Sequence, residues 1–193
     1  MFRTFLSRLL SPLVLSLVAV FLLLPSPLLA AKSEAEWIAQ LASPDEGKVV
    51  SALQGLEKEY PDSPTARAKI ISMLKDPREK VQRKAARVLG AIHADVDKHV
   101  LADITPLLKS PNKDAVIDGL KALRGLNSKS TVPEILPLLS NPDANIKRDA
   151  CRTLAEVADS SVIPKIEPLL SDPNKKVQED ARDAIGKLKL KQK

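Results

Sequence analysis

Aromatic side chains are nearly missing from this sequence. Phe2, Phe5 and Phe21 lie at the extreme N-terminus, and beyond residue 31 only Trp37 and Tyr60 remain. Any core must then be built from Leu, Ile, Val and Ala, and the chain lacks the ring surfaces on which bases stack. Cysteine is represented by Cys151 alone, which excludes an internal disulfide. Its place beside an apolar helical face, in register with Ala86, Leu120 and Arg182, reads as a small half-buried hydrophobe. The histidines are His93 and His99, followed by Ala94 and Val100, so there is neither a His-Glu pair nor a helical metal-ligand spacing. They fall in "HADVDKHV", which reads as a solvated loop; a weak metal site with Asp95 and Asp97 is the alternative. The glycines (47, 55, 90, 119, 125 and 186) are scattered singly, which excludes a glycine-rich phosphate loop. No catalytic, cofactor-binding or metal-binding residue is assigned, and a fold indifferent to chelator and reductant is expected.

A basic domain is also lacking, although the net charge is +6. Arg3 and Arg8 supply part of it, and Lys187, Lys189, Lys191 and Lys193 follow the last acidic residue, Asp183. Residues 31–186 are then net neutral, so the high pI reports the two ends and does not argue for nucleic acid. The lysine tail reads as a complement to a helix C-terminus, with anionic lipid contact as the alternative.

Arg3 and Arg8 precede "LLSPLVLSLVAVFLLLPSPLLAA", an uncharged stretch ending in small residues. That is the pattern of an export signal. Residues 1–31 are therefore expected to be a signal peptide and 32–193 a repeat domain in the periplasm or secreted. The alternative is an uncleaved anchor facing outside the cytoplasm, since the stretch is long enough to span a bilayer. Pro12, Pro25 and Pro27 make it a poor continuous helix.

What the sequence has in abundance is proline at a fixed interval. "LLKSPNKDAV", "LLSNPDANIK" and "LLSDPNKKVQ" place Pro111, Pro142 and Pro173 31 residues apart, and Pro44 and Pro77 precede them at similar spacing. Five copies at such a period signal a repeat architecture. The residues before the prolines are Ser43, Asp76, Ser110, Asn141 and Asp172. They read as helix N-caps, with proline at the first helical position. After each proline comes a helical apolar register, such as Ile146, Ala150, Leu154 and Val157 or Val177, Ala181, Ile185 and Leu188. A shorter helix precedes the next copy, and Pro106, Pro137 and Pro168 are expected to bend its first turns. No segment alternates like a strand. A 31-residue helix pair cannot bury its apolar face alone, but five stacked pairs can share one core.

"DPREKVQRKAARVLGAI", residues 76–92, resembles the second helix of a HEAT repeat, and most closely the short HEAT-like repeats of the phycobilisome bilin lyases. Asp76, Pro77, Val81, Ala85, Ala86, Leu89 and Gly90 carry the likeness, with Gln82 where arginine is usual. Looser matches are Asn141, Pro142, Ile146, Lys147, Ala150 and Leu154, then Asp172, Pro173, Val177, Ala181 and Gly186. The first copy departs most, with Gly47 and Lys48 at an apolar position, as a terminal cap would. The resemblance implies a right-handed α-solenoid whose second helices line a concave face. It implies no single activity, because such folds host many.

At equivalent positions of those second helices stand Arg83, Arg87, Lys121, Arg148 and Arg152, fading to Glu179 and Asp183 in the last copy. They form a candidate basic stripe for a protein partner with an acidic surface; a solvated face balanced by Asp118, Asp149 and Asp180 is the competing reading. The chain is thus expected to be an exported scaffold or adaptor rather than an enzyme. A lyase-like or enzyme-associated protein that binds a small ligand is the alternative. Membrane contact is expected only through the N-terminal segment or the lysine tail.

Cleavage at Ala30 or Ala31 is the expected fate of the N-terminal stretch. N-terminal sequencing of protein recovered from its native host checks it: an intact Met1 on chain retained in washed membranes would show an anchor.

Overall fold

The computed structural model describes residues 32–94 and 98–191. The stretch read as an export signal lies outside them, as do Asp95 and Asp97. Among the described residues the regular structure is entirely helical: α1 (Glu34–Gln40), α2 (Glu46–Glu59), α3 (Pro64–Ser72), α4 (Glu79–Ala91), α5 (Lys98–Ile104), α6 (Lys113–Leu126), α7 (Val132–Ile135), α8 (Ala144–Val157), α9 (Ile163–Ile166) and α10 (Lys175–Leu190). The long helices α2, α4, α6, α8 and α10 stack in sequence, each on the next, with the short helices packed alongside.

The apolar registers are buried. Ile146, Ala150, Leu154 and Val157 are at most 4% exposed, as are Val81, Ala85 and Leu89 of α4. Only Ile92, at the end of the α4 series, remains half-buried. The wholly buried large side chains are Leu, Ile and Val. Cys151 departs from expectation: it is 0% exposed, because its position faces the next repeat. Ala86 and Leu120 are buried in the same way, whereas Arg182 is exposed on α10, the last described helix. Burial, with Asp180 and Asp172 nearby, pushes the Cys151 thiol up to about 12, so the reactive thiolate is suppressed.

Each proline acts one step earlier than its neighbours suggest. The N-caps are Asp45, Arg78, Asn112, Asp143 and Asn174, the residues after the prolines, not Ser43, Asp76, Ser110, Asn141 and Asp172 before them. Proline forces its predecessor into extended backbone, with ψ of 137–141° at Asp76, Ser110, Asn141 and Asp172. From there the side-chain oxygen accepts the N–H two residues on, at 2.8–3.1 Å in all five copies. The second polar residue then caps the helix proper: Asn112 accepts from Asp114 N at 3.0 Å and Asn174 from Lys176 N at 2.9 Å. Arg78 is the exception. Its guanidinium grips the Asp76 carboxylate at 2.7 and 2.8 Å and reaches back to Ser43 O and Pro44 O, both at 3.2 Å. The same contact holds the Asp76 carboxyl below the usual carboxylate range.

Pro106, Pro137 and Pro168 do more than bend a helix. Each opens a 3₁₀ stretch, Thr105–Lys109, Leu136–Ser140 and Glu167–Ser171, that tightens the end of the short helix before the turn. At the N-terminal end, α1 has no buried residue; it is fixed by a Ser33–Glu36 capping box and by Trp37, which covers Gly55 and donates from Nε1 to Glu59 at 3.1 Å.

Two glycines predict opposite outcomes. A Cβ on Gly125 would lie 2.2 Å from Gly90 O, so Gly125→Ala must force α4 and α6 apart. A Cβ on Gly186 meets nothing within 4 Å. Urea denaturation should show Gly125→Ala destabilising by about 1–3 kcal/mol and Gly186→Ala stabilising by up to about 1 kcal/mol through helix propensity.

Candidate functional site

The five basic residues of the stripe all lie on the long helices: Arg83 and Arg87 on α4, Lys121 on α6, Arg148 and Arg152 on α8. Their environments differ. The Arg83 and Arg148 side chains are only 21% and 23% exposed, against 53% for Arg87 and 45% for Arg152. Lys121 is exposed.

The difference comes from the aspartates of the following helix. Asp118, Asp149 and Asp180 occupy one register, seven residues past their prolines, and all three are buried. Arg83 donates to Asp118 at 2.9 Å from Nε and lies 2.8 Å away through a terminal nitrogen. Arg87 stands 3.8 Å from the other oxygen of the same carboxylate. Two helices on, Arg148 and Arg152 clamp Asp180, donating at 2.7 and 2.8 Å. Between these clamps α6 offers Ile117 and Lys121 at the equivalent positions, and Asp149 is approached instead by Arg124 at 3.5 Å. At the first junction the same two registers carry reversed signs, with Lys84 donating to Glu57 at 2.7 Å. Much of the basic stripe therefore joins one repeat to the next.

Two of the five cations are left over. The carboxylate near Arg87 is already held by Arg83 at shorter range. Lys121 makes no ion pair among the described residues. Arg87 and Lys121 line one groove of about 570 Å³, together with Arg124, His93, Asn127 and Glu156. Arg124 and Glu156 continue into a neighbouring depression bounded by Arg152, Asp180, Asp183 and Lys187.

Arg124, Asn127 and Glu156 carry no signal in the sequence register, and His93 is read there only as a loop residue or weak metal ligand. His93 is exposed in the turn after α4, and His99 lies on α5 rather than in a loop. His93 ends α4 in the left-handed region at φ 46°, where glycine is usual, with Ala94 N–H donating back to Leu89 O at 3.0 Å. Its Nδ1–H donates across to Gly125 O at 2.9 Å. Asn127 ends α6 likewise at φ 49°. The groove floor between them is bare backbone, because Gly90 and Gly125 bring α4 and α6 into direct contact. Glu156 on the far wall is paired with Lys187 at 2.7 Å, which holds its carboxyl below the usual range. Lys191 donates to the Glu156 and Ala158 carbonyls, so two of the tail lysines, Lys187 and Lys191, secure the end of α8.

Arg83 and Arg87 should separate cleanly. Arg83→Ala leaves a buried carboxylate poorly served and is expected to cost about 1–3 kcal/mol. Arg87→Ala removes only a long, exposed contact and should cost no more than about 0.5 kcal/mol. Chemical denaturation of the two variants measures the difference; equal costs would show that Asp118 draws on both alike.

Residues 101–186 match the family model for HEAT repeats. No curated protein matches the chain. Among solved structures, it resembles the complex of CpcE and CpcF of phycocyanin lyase from Nostoc sp. PCC7120, with a TM-score of 0.71 at 21% identity over 82% of this chain. It spans 66% of that lyase chain, just under two thirds of its length. An archaeal HEAT-like repeats protein from Thermococcus onnurineus NA1 gives a TM-score of 0.54 at 22% identity, over 83% of this chain and 73% of that one. A designed armadillo repeat protein in complex with the peptide (KR)4 gives 0.60 at 14% identity, over 79% and 80%. At such identities the likeness is one of fold. Residues 101–186 thus carry the HEAT repeats of the family model, and the described chain is an all-α solenoid of HEAT-like helix pairs.

Proposed function

We propose that the chain is a scaffold that binds an acidic segment of a protein partner along the face made by its long helices. The observation that carries this reading is the pair of surplus cations. Arg87 is second on a carboxylate already held, and Lys121 has no ion pair among the described residues. Exposed cations that are held only at long range or have no ion pair are the ones best able to pair with carboxylates from outside. Arg83 and Arg148, by contrast, are committed to the stack and contribute mainly to its stiffness. The peptide held by the designed armadillo neighbour supports the idea that a stack of this kind accommodates an extended chain. That cargo is basic, and the face described here calls for the opposite sign.

The export pattern of residues 1–31 supports a site of action outside the cytoplasm, in the periplasm or secreted, or on an anchored chain facing outward. A second reading is a lyase-like or enzyme-associated role. It is favoured by the fold of the phycocyanin lyase neighbour and by a groove whose volume falls within the range of small-ligand pockets. A stoichiometric small-molecule mass shift in native mass spectrometry would support it.

Affinity capture from envelope fractions at low salt, with crosslinks mapped to residues, tests the scaffold reading. The combined change Arg87→Gln and Lys121→Glu should leave melting nearly unchanged and lower capture of an acidic partner by at least about tenfold, or about 1.4 kcal/mol. The deficit should narrow at high salt, where screening weakens the wild-type contacts as well. Undiminished capture by a folded variant would make the stripe a solvated face.

A further inference from the structure

We infer that the groove over the Gly90–Gly125 contact is the subsite that selects the partner, and that it takes an extended acidic peptide whose carboxylates fall two residues apart. This rests on the scaffold reading and adds to it a location, a ligand class and a spacing.

The charge balance comes first. The groove is lined by Arg87, Lys121 and Arg124, against the single carboxylate of Glu156. Glu156 is neutralised by Lys187 at 2.7 Å. Arg124 stands 3.5 Å from Asp149 and Arg87 3.8 Å from Asp118, a carboxylate that Arg83 already holds, while Lys121 has no ion pair among the described residues. The groove is therefore positive with little internal compensation, whereas the neighbouring depression places Arg152 and Lys187 beside Asp180, Asp183 and Glu156.

The floor comes second. With Gly90 and Gly125 in backbone contact, no side chain rises between the cation-bearing turns of α4 and α6. The Gly125 carbonyl, which would repel an anion, is occupied by His93 Nδ1–H at 2.9 Å. Asn127 makes no side-chain hydrogen bond among the described residues and offers an amide to a peptide backbone at the rim.

Spacing comes third. Arg87 and Lys121 sit at one register on adjacent helices, and packed helices lie about 8–10 Å apart. An extended chain rises about 3.3 Å per residue. Side chains two residues apart share one face of such a chain, so a pair of carboxylates at that spacing can reach both cations at once, and a single carboxylate meets only one.

The test uses a fluorescein-labelled (Asp-Glu)₅ decapeptide and fluorescence anisotropy on the folded chain at low salt. Ala91 is exposed and lines the groove, so Ala91→Trp plugs it without changing charge. Ala91→Leu is a smaller plug in case the indole disturbs folding, which circular dichroism would reveal. Lys165→Gln removes one charge from α9, away from the groove, as a control. The proposal expects Ala91→Trp, or Ala91→Leu, to weaken binding at least about tenfold, and Lys165→Gln to leave it unchanged. Loss with Arg87→Gln/Lys121→Glu but unaltered binding in both Ala91 variants would overturn the groove and leave the acidic-partner reading standing. Equal loss with Lys165→Gln would reduce the effect to general surface charge and overturn the subsite. No binding of the decapeptide by the unaltered chain would overturn both.

Discussion

Every repeat in this chain depends on being covered by another. A long helix carries more apolar surface than its own short partner can hide, so α4 must bury one side on α2 and the other on α6, and so on along the stack. One register position shows the dependence. Ala86, Leu120 and Cys151 are all fully buried because a helix follows each of them, and the equivalent Arg182 is exposed because no described helix covers that side of α10. The first repeat solves the converse problem with Trp37, the largest side chain in the described chain, laid over a glycine. With few aromatics elsewhere, close approach is achieved by small residues. Gly90, Gly125 and Ala122 bring two helix backbones together where a larger side chain would hold them apart.

The same dependence governs the charges. A buried aspartate is tolerable only if a cation or several donors reach it. Asp118, Asp149 and Asp180 are each served by the preceding long helix, so most of the arginines facing outward are already engaged. The arrangement alternates. Asp118 and Asp180, at the α4–α6 and α8–α10 junctions, are held at 2.7–2.8 Å by Arg83 and by Arg148 and Arg152, with Arg87 only at 3.8 Å from Asp118, while Asp149 at the α6–α8 junction relies on Arg124 at 3.5 Å. Lys121 is left over because α6 carries it where α4 and α8 carry an arginine directed at the next aspartate.

Much of this was legible in sequence. The proline period, the apolar registers and the composition of the core required only intervals along one chain, and the buried residues follow them. The starting point of each helix was misplaced because Ser-Pro-Asp, Ser-Pro-Asn, Asn-Pro-Asp and Asp-Pro-Asn each contain two capping residues. The second caps the helix and the first closes the turn before it; the polar residue after each proline was the available signal. The stripe positions lie on the long helices, but the ion pairs that engage Arg83, Arg148 and Arg152 are not written in the register. An arginine six past one proline meets an aspartate seven past the next only after two helices have been stacked, and a one-dimensional register carries no such offset.

The groove was invisible for a related reason. Gly90 stands thirteen residues past its proline and Gly125 fourteen, so they do not align as a repeated position, and each reads as an isolated helix glycine. His93 and Asn127 are likewise different residue types, although both end their helices with positive φ. A repeat pattern reveals what its copies share, namely the packing. A binding preference has to arise where the copies differ. In this chain the differences gather at the ends of α4 and α6: a glycine contact that no other pair of long helices repeats among the described residues, a histidine in place of glycine at a helix end, and a lysine where the flanking repeats put a clamping arginine. The stack supplies stiffness through its regular positions and selectivity through its irregular ones, and both kinds of position are built from the same few side-chain types.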